Sequence, residues 1–327
     1  MPQPDAPQKK KRNVLSNILI VVGVALLIVA GVIYFRNWQN YKKIDDENEK
    51  VAEYAKLSDD SNTPPEVDWA ALKAMNSDVV GWLQIPGTVV NFPVFQTGDN
   101  DYYLDHAPDQ SYSIGGSVFL DFECAPPGMV DPQTIVYGHH MRNGSQFKQI
   151  ADMENQQVFD GVKTVWYVTE QNGPYDLMPL FLFYTSADDT YVRQLTFEND
   201  EGFRKYIQTY FEHAVAQCPN ADQIVGQVKH LFTLSTCNYY DEYGRTLLVC
   251  APKKEVPGTP EYEADTPNRE AAEKAAAEKA AAEQAAAEQA AAEQAAAEKA
   301  AAEQAAAEAA AQSQEGSEEE TVIIEEV

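Results

Sequence analysis

Cysteine is scarce in this chain: four in 327 residues, at positions 124, 218, 237 and 250. None forms a C-x-x-C pair, so the usual zinc spacing is absent, and the spacings do not resemble a dense disulfide framework. Basic residues are also few, 24 Lys and Arg against 51 Asp and Glu. A surface that acidic argues against nucleic acid as a partner, because phosphates need a basic face. The deficit is uneven: residues 1–63 carry 9 basic and 8 acidic side chains, residues 64–254 carry 11 and 24, and residues 255–327 carry 4 and 19. Two local absences matter as much. Val14–Phe35 holds no charged residue, and Asn37–Asp60 holds neither Gly nor Pro.

The uncharged run of 22 residues spans roughly 33 Å as a helix, enough for a bilayer core of about 30 Å. Tyr34 and Trp38 stand where interfacial aromatics belong. A cleaved signal peptide would have a shorter apolar region of about 7–15 residues ending in a small-x-small site. The run therefore predicts a transmembrane anchor at 14–35. Lys9-Lys10-Lys11-Arg12 precedes it in the basic N-terminus, 1–13. The positive-inside bias then predicts a single-pass cell-membrane protein with its N-terminus in the cytoplasm and the rest outside. Residues 36–66 read as a helical stalk or N-terminal helices, broken by Thr63-Pro64-Pro65, and Asp68 can cap a short helix, Trp69–Met75.

From Val79 to Ala251 the pattern changes to short apolar runs separated by turns. Eight read as strands: Val79–Ile85, Val89–Phe95, Ser117–Leu120, Gln133–Tyr137, Thr164–Thr169, Asp176–Thr185, His230–Ser235 and Arg245–Ala251. Pro86-Gly87 is a turn between the first two. Asp200–Gln217 is the one strong helical pattern, with Phe203, Tyr206, Ile207, Tyr210 and Phe211 on its core side. Many short strands with few helices predict a closed or nearly closed β-barrel, in a domain at 67–254. A linker at 255–269 follows. Residues 270–311 then repeat A-A-A-E-[KQ] with period five. Successive Glu are offset by about 140° around a helix, so no a/d seam exists and a semi-rigid single helix is expected rather than a coiled coil. Residues 312–327 are an acidic tail.

The chemistry centres on Leu231–Cys237, a strand that ends on a thiol, and on the return strand that opens at Arg245. A free cysteine is often a buried hydrophobe. Alternation, however, puts Cys237 with Thr233 and Ser235 on the polar face of its strand. Cys250, in Leu247-Leu248-Val249-Cys250, reads as core instead. A cysteine nucleophile needs a base or proton donor, most often histidine. His139 and His140 end the Gln133–Tyr137 strand, and adjacent residues there point different ways, so one of them faces the thiol. His106, His213 and His230 read as structural or solvated. Arg245 could pair with Asp241 or Glu242 on the surface, or hold a developing oxyanion with its planar fork.

Taken together, L-S-T-C at Leu234–Cys237, Arg245 and Gly138-His139 resemble the catalytic signature of the sortases, and of class B in particular. The blocks Asp78–Thr88, Asp99–Leu104, Gly116–Asp121 and Tyr137–Met141 occur in the class B order, and the helix at Asp200–Gln217 falls where class B enzymes insert one. The resemblance covers about residues 37–254. It implies a mainly β fold: an eight-stranded sortase-type β-barrel with added helices, preceded by one transmembrane helix and followed by the alanine-rich helical tail. It implies a membrane-anchored cysteine transpeptidase. Cys237 would attack the carbonyl after threonine in a sorting signal, commonly N-P-x-T-like, and form a thioester. His139 would serve as acid and base, and Arg245 would steady the oxyanion and peptide. Asn100, Leu104 and Ser235 would line the groove. The implied partners are a sorting-signal-bearing surface protein, the amine of a peptidoglycan precursor and the membrane, with no cofactor and no metal. Asn238 departs from the acidic residue some members carry after the cysteine, and the tail after Lys254 has no counterpart. Rival readings are a pilin-polymerising sortase with a lysine acceptor, a cysteine endopeptidase with water as acceptor, and a non-catalytic anchored scaffold.

Overall fold

Each of the eight apolar runs forms a strand: β1 (Val79–Gln84), β2 (Asn91–Phe95), β3 (Val118–Leu120), β4 (Gln133–Tyr137), β5 (Val165–Thr169), β6 (Gly173–Ser186), β7 (Leu231–Cys237) and β8 (Gly244–Pro252). The computed structural model describes residues 14–238 and 244–324. The expected cytoplasmic segment at 1–13, and Asp241 and Glu242, lie outside the described residues. Around the barrel the order is β1-β2-β3-β4-β7-β8-β6-β5, and β5 pairs back onto β1. Closure leaves none of the eight strands as a free edge. Two neighbours run parallel, β2 with β3 and β4 with β7. Parallel pairs need long crossovers. The second crossover is the longer: it carries β5, β6 and an insertion at 187–230.

Most strands are buried on both faces, which is why the apolar runs are nearly continuous. In β1, Leu83 points into the main core with Val94, Leu120, Val136 and Leu234, whereas Trp82 points into a second cluster with Val51, Leu72, Phe95 and Trp166. β6 bends between neighbours. Its first half pairs with β5, and its second half pairs with β8 on one side and with the strand Ala214–Gln217 on the other. That extra strand shortens the expected helix. That helix ends at Phe211, because Ala214–Gln217 is drawn into the β6 ladder by contacts distant in sequence. Within α3 (Asp200–Phe211) the expected apolar face holds: Phe203, Tyr206, Ile207 and Tyr210 are buried, and Tyr210 packs on Phe183 with ring centroids 4.7 Å apart.

Ahead of the barrel, α1 (Val14–Ala52) is one unbroken helix. It is long and apolar enough to cross a bilayer, with mean hydropathy 3.0 in its most apolar window. Its large side chains from Ile18 to Phe35 are exposed, whereas Ile44 and Val51 are buried, Ile44 against Gly115. The short helix α2 (Trp69–Met75) starts as expected, with Asp68 Oδ1 accepting from the Ala71 amide at 3.0 Å. Residues 264–327 form a separate unit. Within it α4 spans Thr266–Ile324, 59 residues, or about 88 Å at 1.5 Å per residue. From residue 271 to 307 its side chains are exposed, and i,i+4 pairs such as Lys279–Glu283 at 3.8 Å run along it.

Candidate active site

The β7–β8 ladder decides where the thiol sits. In its antiparallel register Cys237 lies opposite Arg245. The next pair, Asn238 and Gly244, is hydrogen-bonded, with the Asn238 amide 3.0 Å from the Gly244 carbonyl. Hydrogen-bonded and non-bonded pairs alternate, so Cys237 and Arg245 form a non-hydrogen-bonded pair. In such pairs the Cα atoms are about 4.5 Å apart and both side chains rise from one face. Arg245 Nη1 donates to the Gly244 carbonyl at 3.2 Å, which anchors the guanidinium beside that position.

The same face explains the polar pattern of β7. Thr233 and Ser235 share it with Cys237, yet they are 2% and 4% exposed. The insertion lies over the first of them, with Val192, Tyr206 and Tyr210 closing around Thr233. The polar face is therefore a covered one, and Cys237 is half-buried at the point where the cover ends. The other three thiols are enclosed. Burial pushes Cys124 up to about 12 and Cys218 up to about 11, and it pushes Cys250 higher still. Cys250 sits in the barrel core, as its sequence surroundings suggested.

The histidines arrive through the parallel β4–β7 pair. Tyr137 is level with Ser235, and the Gly138 amide donates to the Ser235 carbonyl at 3.1 Å. The chain can pass there only as glycine: a Cβ on Gly138 would lie 2.7 Å from the Phe147 ring. The two imidazoles then diverge. His139 Nε2 donates to the Leu104 carbonyl at 2.7 Å, and its amide donates to Gln146 Oε1 at 3.1 Å. His140 Nδ1 donates to the Cys237 carbonyl at 2.8 Å. His140 thus braces the backbone under the thiol, while His139 lines the cleft. Among the described residues no hydrogen bond joins the His139 ring to the thiol. Such contacts are often long before substrate binds.

One cleft of about 320 Å³ collects Cys237, His139, Arg245, Asn100, Leu104 and Ser235. All six residues expected from sequence line it. A larger groove of about 750 Å³ lies between Trp38–Tyr54 and Met75–Ser111, but it contains no cysteine or histidine, so chemistry favours the smaller cleft. Among the described residues no three His, Cys, Asp or Glu side chains gather as metal ligands.

The cleft also holds Arg193 and Tyr137, which sequence reasoning missed. Arg193 grips the fully buried Asp121 with two bonds, Nε–Oδ2 at 2.8 Å and Nη2–Oδ1 at 3.0 Å, and reaches Glu123 at 2.6 Å. The Tyr137 hydroxyl donates to Asp121 Oδ2 at 2.7 Å, and Asn100 Nδ2 donates to the same oxygen at 3.0 Å. Asn100 Oδ1 in turn accepts from the Phe122 amide at 3.0 Å. Burial disfavours the Asp121 carboxylate, but Arg193, the Glu123 amide and Tyr137 together outweigh it and hold its carboxyl below the ordinary range. Burial, then the Asp121 charge, pushes the Tyr137 hydroxyl far up, so it stays a donor. Asp121 ends the Gly116–Asp121 block, but nothing in the sequence links it to an arginine 72 positions away.

No family model matches the chain. It is 27% identical over 247 residues to sortase B of Staphylococcus aureus strain NCTC 8325 / PS 47, covering 72% of this chain and 97% of the relative. It is 28% identical over 239 residues to sortase B of Listeria monocytogenes serovar 1/2a, covering 69% and 94%. The crystal structure of Clostridium perfringens sortase B is 30% identical and superposes with a TM-score of 0.51, covering 56% of this chain and 97% of that one. Likeness over nearly the whole of each relative, carried by one closed barrel with a thiol in its cleft, shows the family: the chain belongs to the class B sortases, cysteine transpeptidases.

Proposed function

We propose that this sortase is a single-pass membrane protein that cuts a C-terminal sorting signal after threonine and joins the surface protein to an amine of a peptidoglycan precursor. The observation that carries the reading is the cleft in which Cys237 and Arg245 face each other across one ladder and His139 lines the same space. Cys237 Sγ, whose proton rests on His139, attacks the threonine carbonyl as a thiolate, and the oxygen that becomes negative meets the Arg245 fork. Collapse breaks the C–N bond, and His139 gives the departing amine its proton, leaving a thioester on Cys237. The acceptor amine then attacks the thioester, His139 takes its proton, and the thiolate leaves. Asn100, Leu104 and Ser235 line the path of the signal. The uncharged stretch of α1 serves as the anchor, with Lys9–Arg12 on the cytoplasmic side and the barrel outside.

The test is a sorting peptide of N-P-x-T type incubated with the full chain in detergent, with and without a glycine-type amine and a lysine-bearing peptide. The expected product, read by mass spectrometry, is the peptide acyl group on the glycine-type amine. Transfer to lysine alone would favour the pilin-polymerising reading. Hydrolysis undiminished by either amine would favour an endopeptidase. The same product from Cys237→Ala would end the enzymatic account.

A further inference from the structure

The insertion between β6 and β7 forms one wall of the cleft, and Asn100, with the segment around it, forms the other. The turn Tyr191–Arg193 in that insertion is pinned from below: Gln133 Nε2 and the Tyr206 hydroxyl both donate to the Val192 carbonyl at 2.8 Å. From the side it is held by Arg193. Among the described residues the insertion's only salt bridges to the opposite wall are those of Arg193 to Asp121 and Glu123. Asp121 is the shared acceptor for both walls, since it takes Arg193 from one and Asn100 from the other, with Tyr137 adding a bond from the end of β4. Both of Asn100's amide atoms are engaged in that arrangement.

We infer that the Arg193–Asp121 pair is a clamp that sets the width of the sorting-signal groove, with Arg193 a positioning residue for the bound peptide. The inference rests on the proposed function of the same cleft. Its physical basis is geometric. A bidentate guanidinium–carboxylate pair fixes both distance and plane, which a single-point contact does not. The clamp sits on the walls, whereas Cys237 and Arg245 are carried by the β7–β8 ladder, to which neither side chain of the clamp hydrogen-bonds among the described residues. Releasing the clamp therefore loosens peptide binding more than it slows the bond-making step.

The test compares wild type, Arg193→Lys and the double variant Arg193→Met with Asp121→Asn. The double variant leaves no stranded buried charge, so it folds where Arg193→Met alone can fail. Initial rates with a quenched N-P-x-T-type peptide are expected to give a KM about tenfold higher in the double variant, with kcat within about threefold of wild type. Arg193→Lys falls between them, because an ammonium keeps the charge but not the fork. A parallel titration of the same peptide into Cys237→Ala, with and without the double variant, reads binding without turnover and should weaken by the same factor. Equal KM and equal binding in a folded double variant overturn the clamp alone. So does a fall in kcat with KM unchanged. A wild-type chain that neither cuts nor binds the peptide overturns the functional reading, and the clamp with it.

Discussion

Arg245 is the most exacting of the proposed assignments, because lysine at that position keeps the charge and the strand register. Cys237 and Arg245 are a non-hydrogen-bonded cross-strand pair, so the fork rises about 5 Å from the thiol at the level of Cβ. An oxyanion formed on the carbonyl bound to Sγ can then take two parallel N–H bonds from one guanidinium. A lysine in the same register offers one mobile donor instead. Removing a fixed oxyanion donor costs about 2.7–4 kcal/mol, or about 10²–10³ in kcat. Arg245→Lys is expected near the lower end, a loss of about 10², and Arg245→Ala near 10³. The assay is steady-state cleavage of a quenched fluorescent sorting peptide. A thermal melt of each variant serves as control. If Arg245→Lys retains more than a third of wild-type kcat, the planar fork is not what steadies the oxyanion.

Three further outcomes are expected. Thiol titration with an aromatic disulfide at pH 8 should find one reactive cysteine in the native chain and four after denaturation, because burial raises Cys124, Cys218 and Cys250 far above that pH; a second fast thiol would contradict the burial. His139→Ala should abolish acyl transfer, whereas His140→Asn, which keeps a donor for the Cys237 carbonyl, should retain far more activity than His140→Ala; the reverse ranking in peptide cleavage would exchange the two histidines' roles. Asp121 has a depressed carboxyl in the folded state, so its contribution is present above the unfolded value of about 3.9 and is lost as pH falls through the lower folded value. Arg193→Met removes the strongest of the groups that depress it, so its deficit should be about 3 kcal/mol at pH 7, some 6–12 °C in Tm, and should shrink as pH falls below about 3.9. A deficit that stays constant as pH falls through that lower range would show that Asp121 is not the stranded charge.

The barrel was legible because each strand is a short apolar run bounded by turn residues, a local signal. The strand order was not, since closure of β5 onto β1 and of β8 onto β6 depends on long-range pairing. The same reason hid the strand Ala214–Gln217, which a helical pattern runs straight into, and the short helices Lys148–Ala151 and Gln156–Gly161. At the cleft, Cys237 and Arg245 could be read as the two ends of one hairpin, and the class B blocks supplied His139, Asn100 and Leu104. Alternation marked the polar side of β7, but only the fold shows that the insertion covers Thr233 and that Cys237 is half-buried. Arg193 and Asp121 meet across 72 positions with no periodicity to connect them.

The central claim is that Cys237 carries the acyl group between donor and acceptor. Intact-protein mass spectrometry of the full chain, quenched in acid after mixing with the sorting peptide and no amine, tests it directly. The expected result is one adduct equal to the peptide up to threonine, mapped to Cys237, discharged by hydroxylamine and absent from Cys237→Ala. Peptide cleavage with no adduct on Cys237, or an adduct on another residue, would contradict it.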